Sequence, residues 1–392
     1  MISQNGAVRR VWTEIDLKAI RRNLSTIRSL VGPEAALLIV VKSDAYGHGM
    51  VEVSRTLVRG PGPAPAASLQ SGPGEMLFGI GRPEEAARLR EAGIANDLIL
   101  LAPFLRNEVP DIFEHNITPS VGDAAGAELL NRAAMARGKK LAVHLKVDTG
   151  MGRSGVWHEE ALDFALEFPN NFPHLHMEGV LTHFSEADSP DGDFTEAQVR
   201  SFNALTAGLA AHAIKPRFIH AANSAALLKH RATYFNMVRP GLCVYGVFPG
   251  IWRPPDLNLA PVLSWKARVT LVRDVPEGRF ISYRRSFQTR GRARIATVSA
   301  GYADGYPVAL SNCGRVLVRG KSAPVVGQVT MDQLLVDVTA IPDVFPEDEV
   351  VLIGKQGKEQ ILVEELAQRA RTIPYELLCG ISKHIPRFYN EL

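Results

Sequence analysis

Short apolar runs alternate with amphipathic stretches over the first two thirds of the chain. The runs lie at residues 35–41, 76–80, 98–101, 117–120, 141–147, 179–182, 218–220 and 242–245, each short enough for a buried strand. Between them, residues 83–92, 123–137, 158–168 and 195–212 carry apolar positions at helical spacing. A further helix is predicted over 13–31, with Thr13 as its cap and Ile15, Leu17, Ile20, Leu24 and Ile27 along one face. Another starts near His48 and ends near Val58. Eight strands alternating with helices within about 230 residues predict an α/β fold with an N-terminal eight-fold β/α (TIM-like) barrel. The pattern alone also permits a doubly wound open sheet.

The rhythm changes after Pro254 and Pro255. From 263 to 353 the runs are strand-like, glycine turns separate them and no long helix is expected. Strands are predicted there at 267–272, 293–298, 316–318, 334–338 and 350–353, and a short helix follows at 363–371. The expected organisation is a barrel over 12–255 and a β-rich C-terminal domain over 256–392, onto which residues 1–11 could pack. Residues 59–74 carry a proline and glycine density that no helix or central strand sustains, which predicts a surface loop.

Composition and charge remove several function classes. The formal net charge of +3 is small for 392 residues and gives no case for a nucleic-acid partner. No apolar stretch approaches the ~18 residues of a membrane span, and the first residues lack a signal-peptide core. Cys243, Cys313 and Cys379 are odd in number and far apart. That suits reduced thiols in a cytoplasmic protein better than a disulfide framework, and no metal site is expected.

Candidate chemistry starts at Lys42, which closes the first barrel run. A lysine there is either a snorkelling strand end or a placed amine. Tyr46, Gly47, His48 and Gly49 follow as a glycine-punctuated turn. Desolvation beside such a turn would lower the lysine pKa and free its amine for Schiff-base chemistry. The stretch from Val40 to Gly49 resembles the pyridoxal-phosphate lysine motif of the bacterial alanine racemases, and the similarity runs nearly end to end. The family usually has Asn where this chain has Asp44.

The resemblance implies a set of roles. Lys42 would hold pyridoxal 5'-phosphate as a Schiff base, with Tyr46 reaching toward its phosphate. In the stretch from Lys146 to Arg153, Arg153 would meet the substrate carboxylate, and Lys146 matches a lysine that many members carry as a carbamate. A carbamate would supply the negative charge that two neighbouring cations lack. His183 would lie against the cofactor ring, while Asn223, Ser224, Gly241 and Leu242 would hold the phosphate. Helix capping alone would also explain Asn223 and Ser224. Arg239 would face the pyridine nitrogen as a permanent donor, making the ring a weaker electron sink and limiting transamination.

Racemisation needs a base on each face of Cα, and the resemblance assigns these to Lys42 and Tyr283. Tyr283, Tyr302 and Met331 would enter the site from a partner subunit, which implies a homodimer. Met331 would offer its backbone N–H to the substrate carboxylate; Tyr302 and Tyr375 would narrow the pocket to a methyl-sized side chain, Tyr375 also orienting Tyr46. Two departures stand near these residues: Arg284 where the family commonly has Gly, and Thr330 where it often has Cys or Ser.

The implied function is a cytoplasmic isomerase that interconverts L- and D-alanine and supplies D-alanine for peptidoglycan. A broader amino-acid or serine racemase, a barrel-type amino-acid decarboxylase and a non-catalytic pyridoxal-phosphate carrier are the alternatives. The long β-rich segment containing Tyr283 and Met331 argues against the carrier.

Overall fold

The computed structural model describes residues 9–59, 74–250 and 253–390. The loop expected at 59–74 falls almost wholly outside them, as do residues 1–8. Eight parallel strands close into a barrel in the order Ile117–Val121, Leu98–Leu100, Met76–Ile80, Ala36–Val40, Met237–Val238, Phe218–His220, Leu175–Leu181 and Leu141–Asp148. The last pairs back on the first. Runs such as Ala36–Val40 are buried at every position because one face meets the helices and the other fills the barrel. Ala36, Leu38, Leu77, Ile99, Phe218 and Met237 form a buried cluster of strand residues only, as a filled barrel interior requires.

Two expectations are corrected. Residues 242–245 are not the eighth strand; Leu242–Tyr245 is a 3-10 turn, and the strand is Met237–Val238. Pro240 lacks the N–H that would extend a ladder, so the strand stops before it and Arg239 lands at its C-terminal end. A short buried apolar run does not distinguish strand from helix by period. The helix expected from Thr13 begins later, as Leu17–Val31, with the Asp16 carboxylate accepting from Ala19 N–H at 2.8 Å. Val11–Asp16 is a strand, pairing with Leu263–Val275 and Arg387–Asn390. Its alternation was absorbed into the helical period that follows.

The second sheet is built on Leu263–Val275, which pairs with Val11–Asp16, Ala293–Val298 and Glu349–Gln356. The expected strands near 316–318 and 334–338 are Arg315–Val318 and Leu334–Asp337. The helices Val363–Ala370 and Pro374–Gly380 carry Leu366, Leu377 and Leu378 into the core that also contains Tyr46 and Tyr245. That shared core sets Tyr375 against the Lys42 turn. No helix among the described residues is long and apolar enough to cross a membrane.

Candidate active site

Lys42 follows the strand Ala36–Val40, and the turn after it is left-handed. Ser43, Asp44, Ala45 and Tyr46 have φ of 54°, 56°, 55° and 52°. Each such residue costs roughly 1–2 kcal/mol, so the surroundings must hold the turn. Ala45 N–H donates to Val41 O at 2.7 Å. The Glu85 carboxylate accepts from Ser43 N–H at 2.5 Å and Gly81 N–H at 2.7 Å. Asp44 Oδ1 accepts from Met50 N–H at 3.1 Å and pairs with Arg88 at 3.0 Å. A Cβ on Gly47 would lie 2.4 Å from Leu378 O, and Gly47 itself has φ 81°, so this position requires glycine.

His48 belongs to this scaffold. It is fully buried, with Nδ1 at 2.9 and 3.1 Å from the carbonyls of Ala45 and Tyr46. Its ring stacks on Tyr245 at 4.4 Å, and the Tyr245 hydroxyl donates to Val40 O at 2.9 Å. Burial lowers its pKa to about 4, so it is neutral at working pH.

Four cations converge at the C-terminal ends of the strands. Burial lowers the Lys42 pKa, the Arg153 charge lowers it further, and Glu85 opposes both. Lys146 Nζ donates to Leu101 O at 3.1 Å. Burial, then Arg153, Arg239 and Lys42, bring its pKa to about 8. Asp148 shapes the loop that carries Arg153: Oδ1 accepts from Gly150 N–H at 2.9 Å and Gly152 N–H at 3.0 Å, and Oδ2 from Arg153 N–H at 3.0 Å. Burial works against its charge, but these N–H groups outweigh it and hold the carboxyl below its usual range.

Arg239 is buried, and its Nη2 donates to Thr182 O and Ala221 O, both at 2.7 Å. The same nitrogen lies 3.4 Å from His183 Nδ1. Nη1 donates to His220 Nδ1 at 3.1 Å, and His220 Nε2 lies 2.8 Å from His144 Nδ1. Arginine only donates, so His220 carries its proton on Nε2 and passes a hydrogen bond to His144. Burial lowers the Arg239 pKa to about 9, which leaves it protonated at neutral pH. The imidazole of His144 fits only because residue 179 is glycine; a Cβ there would stand 2.6 Å from the ring.

Ser224 Oγ accepts from Gly241 N–H at 2.9 Å, and the Asn223 side chain caps Ser224–Lys229 by accepting from Ala226 N–H at 3.0 Å. Leu242, next to Gly241, is fully buried. A Cβ on Gly241 would lie 2.8 Å from the Tyr46 hydroxyl, so glycine keeps the space between Tyr46 and Ser224 clear. Tyr375 packs edge-on against Tyr46 at 5.6 Å. Lys42, Tyr46, Lys146, Arg153, His183, Asn223, Ser224, Arg239, Gly241, Leu242 and Tyr375 therefore belong to one end of the barrel.

Tyr283, Tyr302 and Met331 are elsewhere. They are 66 %, 45 % and 54 % exposed, and no hydrogen bond or ring contact among the described residues joins their side chains to Lys42 or Arg153. They share one face: Ser282 Oγ donates to Gln328 O at 2.7 Å, and Tyr302 N–H donates to Thr330 O at 3.0 Å. Reading the sequence gave no role to Glu85, Asp148, His220 or His144. For Glu85 a signal existed, the Pro83-Glu84-Glu85 helix start directly after a barrel strand.

Comparison with known proteins decides the family. A model of the alanine racemase N-terminal domain matches residues 15–249, and one of its C-terminal domain matches 262–389. The chain belongs to the alanine racemase family. An alanine racemase of Halothermothrix orenii is 40 % identical over 382 residues, covering 97 % of each chain. The solved alanine racemase of Clostridium difficile 630 superposes with a TM-score of 0.88 at 32 % identity, covering 98 % of this chain and 96 % of that one. The alanine racemase of Bartonella henselae, solved with covalently bound pyridoxal phosphate, gives 0.85 at 28 % identity, covering 98 % and 100 %. The resemblance read from the motifs thus holds nearly end to end, and with it the family's racemase activity.

Proposed function

We propose that this alanine racemase interconverts L- and D-alanine with two bases, on pyridoxal 5'-phosphate, in a homodimer with shared active sites. One observation carries the shared site: Lys42 and Arg153 stand at the barrel, whereas Tyr283 is two-thirds exposed in the turn between Phe280–Ile281 and Phe287–Gln288, a separate two-stranded sheet. A single chain therefore offers one base to the substrate, and a second copy supplies the other. The proposed division is a barrel reaching to 255 that binds the cofactor and a β-rich unit over 256–392 that reaches across; Val11–Asp16, expected in the barrel, joins the sheet of the β-rich unit instead.

The residues fit the cofactor. Gly241 leaves room beside Ser224 Oγ and the Tyr46 hydroxyl for a phosphate, with Asn223 and Leu242 adjoining. His183 and Arg239, side by side, would border the ring, and Arg239 would offer the ring nitrogen a hydrogen bond while keeping its proton. Pyridoxal phosphate held there would supply the electron withdrawal that acidifies the hydrogen on the substrate Cα. Lys42 Nζ moves that proton on one face of Cα, and Tyr283 Oη on the other. Arg153 and the Met331 N–H hold the substrate carboxylate. Tyr302 and Tyr375 limit the side chain to a methyl group; one extra polar or methylene group changes discrimination by only ~1–3 kcal/mol, so slow turnover of serine is expected. The setting proposed is cytoplasmic supply of D-alanine for peptidoglycan.

Lys146 is proposed to be a carbamate: its amine adds to carbon dioxide and loses a proton, leaving an anion beside Arg153. A pKa near 8 leaves a reactive fraction of free amine at neutral pH. Labelling with 13C-bicarbonate should give a carbamate carbon signal that Lys146→Met lacks; the same signal in both proteins would remove the assignment.

Mixed dimers test the shared site. Lys42→Ala and Tyr283→Phe subunits, each defective alone, are combined and re-assembled. Half of the dimers are then mixed, and each has one intact site, so about a quarter of wild-type activity should return. No recovery, with mixed dimers present, would place both bases in one chain.

A further inference from the structure

The small net charge conceals a segregation. Between 279 and 294 the chain has six arginines and no acidic residue. Arg279, Arg284, Arg285, Arg290 and Arg292 are exposed and form no ion pair among the described residues. The aromatic side chains Phe280 and Tyr283 are interleaved with them and more than half exposed. Between 184 and 196 the opposite holds: Glu186, Asp188, Asp191, Asp193 and Glu196 occur with no lysine or arginine. Of these, Glu196 makes a loose ion pair with Arg200 at 3.8 Å. Behind the loop, Lys229 donates to the Ser189 carbonyl.

We infer that segment 279–294 is a docking arm for a second copy of this chain, received by the acidic loop 184–196 on the rim of the partner's barrel. The inference rests on the shared-site homodimer proposed above and specifies its contact.

The loop is fixed at the end of the barrel that holds Lys42. Gln198 accepts from Ser185 N–H at 3.0 Å and donates to His183 O at 3.2 Å. Phe194 packs on Gly150 in the Arg153 loop, where a Cβ would stand 2.7 Å from its ring. Asp188 faces Gly250, and its charge acts on the Tyr375 hydroxyl. The acids therefore border the mouth through which Tyr283 would enter.

The arm is shaped to deliver charge there. Consecutive Cα atoms are about 3.8 Å apart, so Arg284 and Arg285 arrive wherever Tyr283 does. Ser282, Arg284 and Arg285 have φ of 66°, 58° and 55°, a left-handed backbone that glycine would adopt more readily. It is held by the bond from Ser282 Oγ to Gln328 O and by Asn312 Nδ2 donating to Ser286 O at 3.1 Å. Arg285 lies 5.5 Å over the Phe280 ring. Without a partner these cations crowd one another and the neighbouring acids of the rim do the same, so docking relieves both.

Sedimentation equilibrium on the full chain tests this. Arg284→Glu with Arg285→Glu, or Glu186→Lys with Asp188→Lys, should each raise the dimer dissociation constant at least about tenfold. The milder Arg284→Gln with Arg285→Gln should raise it less, and 0.5 M salt should weaken the wild-type dimer because exposed pairs are screened. All four reversals in one chain restore complementarity and should recover wild-type affinity to within about threefold. A dimer indifferent to both reversals, or a four-fold reversal no better than either pair alone, overturns the docking contact. So does an arm that leaves dimerisation unaffected yet captures a single-stranded oligonucleotide. A wild-type protein that stays monomeric at every concentration overturns the shared-site homodimer itself.

Discussion

Lys42→Ala should lose the absorbance of lysine-bound cofactor and at least about ten thousandfold in racemisation, because one change removes the covalent anchor and one of the two bases. It should not unfold the protein. The folded state lowers the Lys42 pKa, so at neutral pH the ammonium is less favourable when folded than unfolded. That penalty is full below the folded pKa and fades as pH rises from there toward the higher unfolded value. Removing the amine also takes a cation away from Arg153 and Arg239. The apo variant should therefore melt no lower than apo wild type at pH 7, with the difference shrinking at alkaline pH. Retained activity would contradict the assignment of the anchor. A large fall in melting temperature would show that Lys42 serves packing, for instance through its stem against Gly81.

Tyr283→Phe should separate two processes that run together in the wild type. Racemisation needs protons to move on both faces of Cα, so it should fall about 10²–10⁴-fold. Exchange of the Cα hydrogen needs one face only, and Lys42 remains. One enantiomer should still take up deuterium from D2O, with its configuration retained. At 66 % exposure, losing the hydroxyl should change stability by no more than about 0.5 kcal/mol. Equal loss of exchange and racemisation for both enantiomers would contradict the base role, as would full racemase activity.

The barrel was legible because buried parallel strands leave short, continuously apolar runs whose spacing repeats with the helices. Its failures have a common origin. Val11–Asp16 draws its partners from residues more than two hundred positions away, so nothing local distinguishes its first turn of alternation from the helix that follows. Residues 242–245 are as apolar as a strand and as buried, but Pro240 moves the strand upstream. At the site, the sequence motifs picked out side chains that gather at one end of the barrel and not what holds them. Four consecutive non-glycine residues with positive φ after Lys42 contradict local preference, and the holders are Glu85 and Arg88, which the sequence places on another βα unit. Arg239 was legible as a donor, whereas the His220–His144 chain behind it depends on two strands meeting inside the barrel. The Asp44 departure acquires a reason in its ion pair with Arg88. Thr330 has one as well, since its hydroxyl donates to Gln333 O at 2.8 Å within the loop that presents Met331.

Proton NMR of the purified holoenzyme in D2O with L-alanine, followed by chiral analysis, tests the central claim most directly, with L-serine and L-lysine run alongside. The two-base reading predicts that alanine loses its Cα proton signal and its chirality together, serine more slowly and lysine scarcely at all. An amine that has lost its carboxylate, or a cofactor-loaded protein that exchanges no Cα hydrogen, would contradict it.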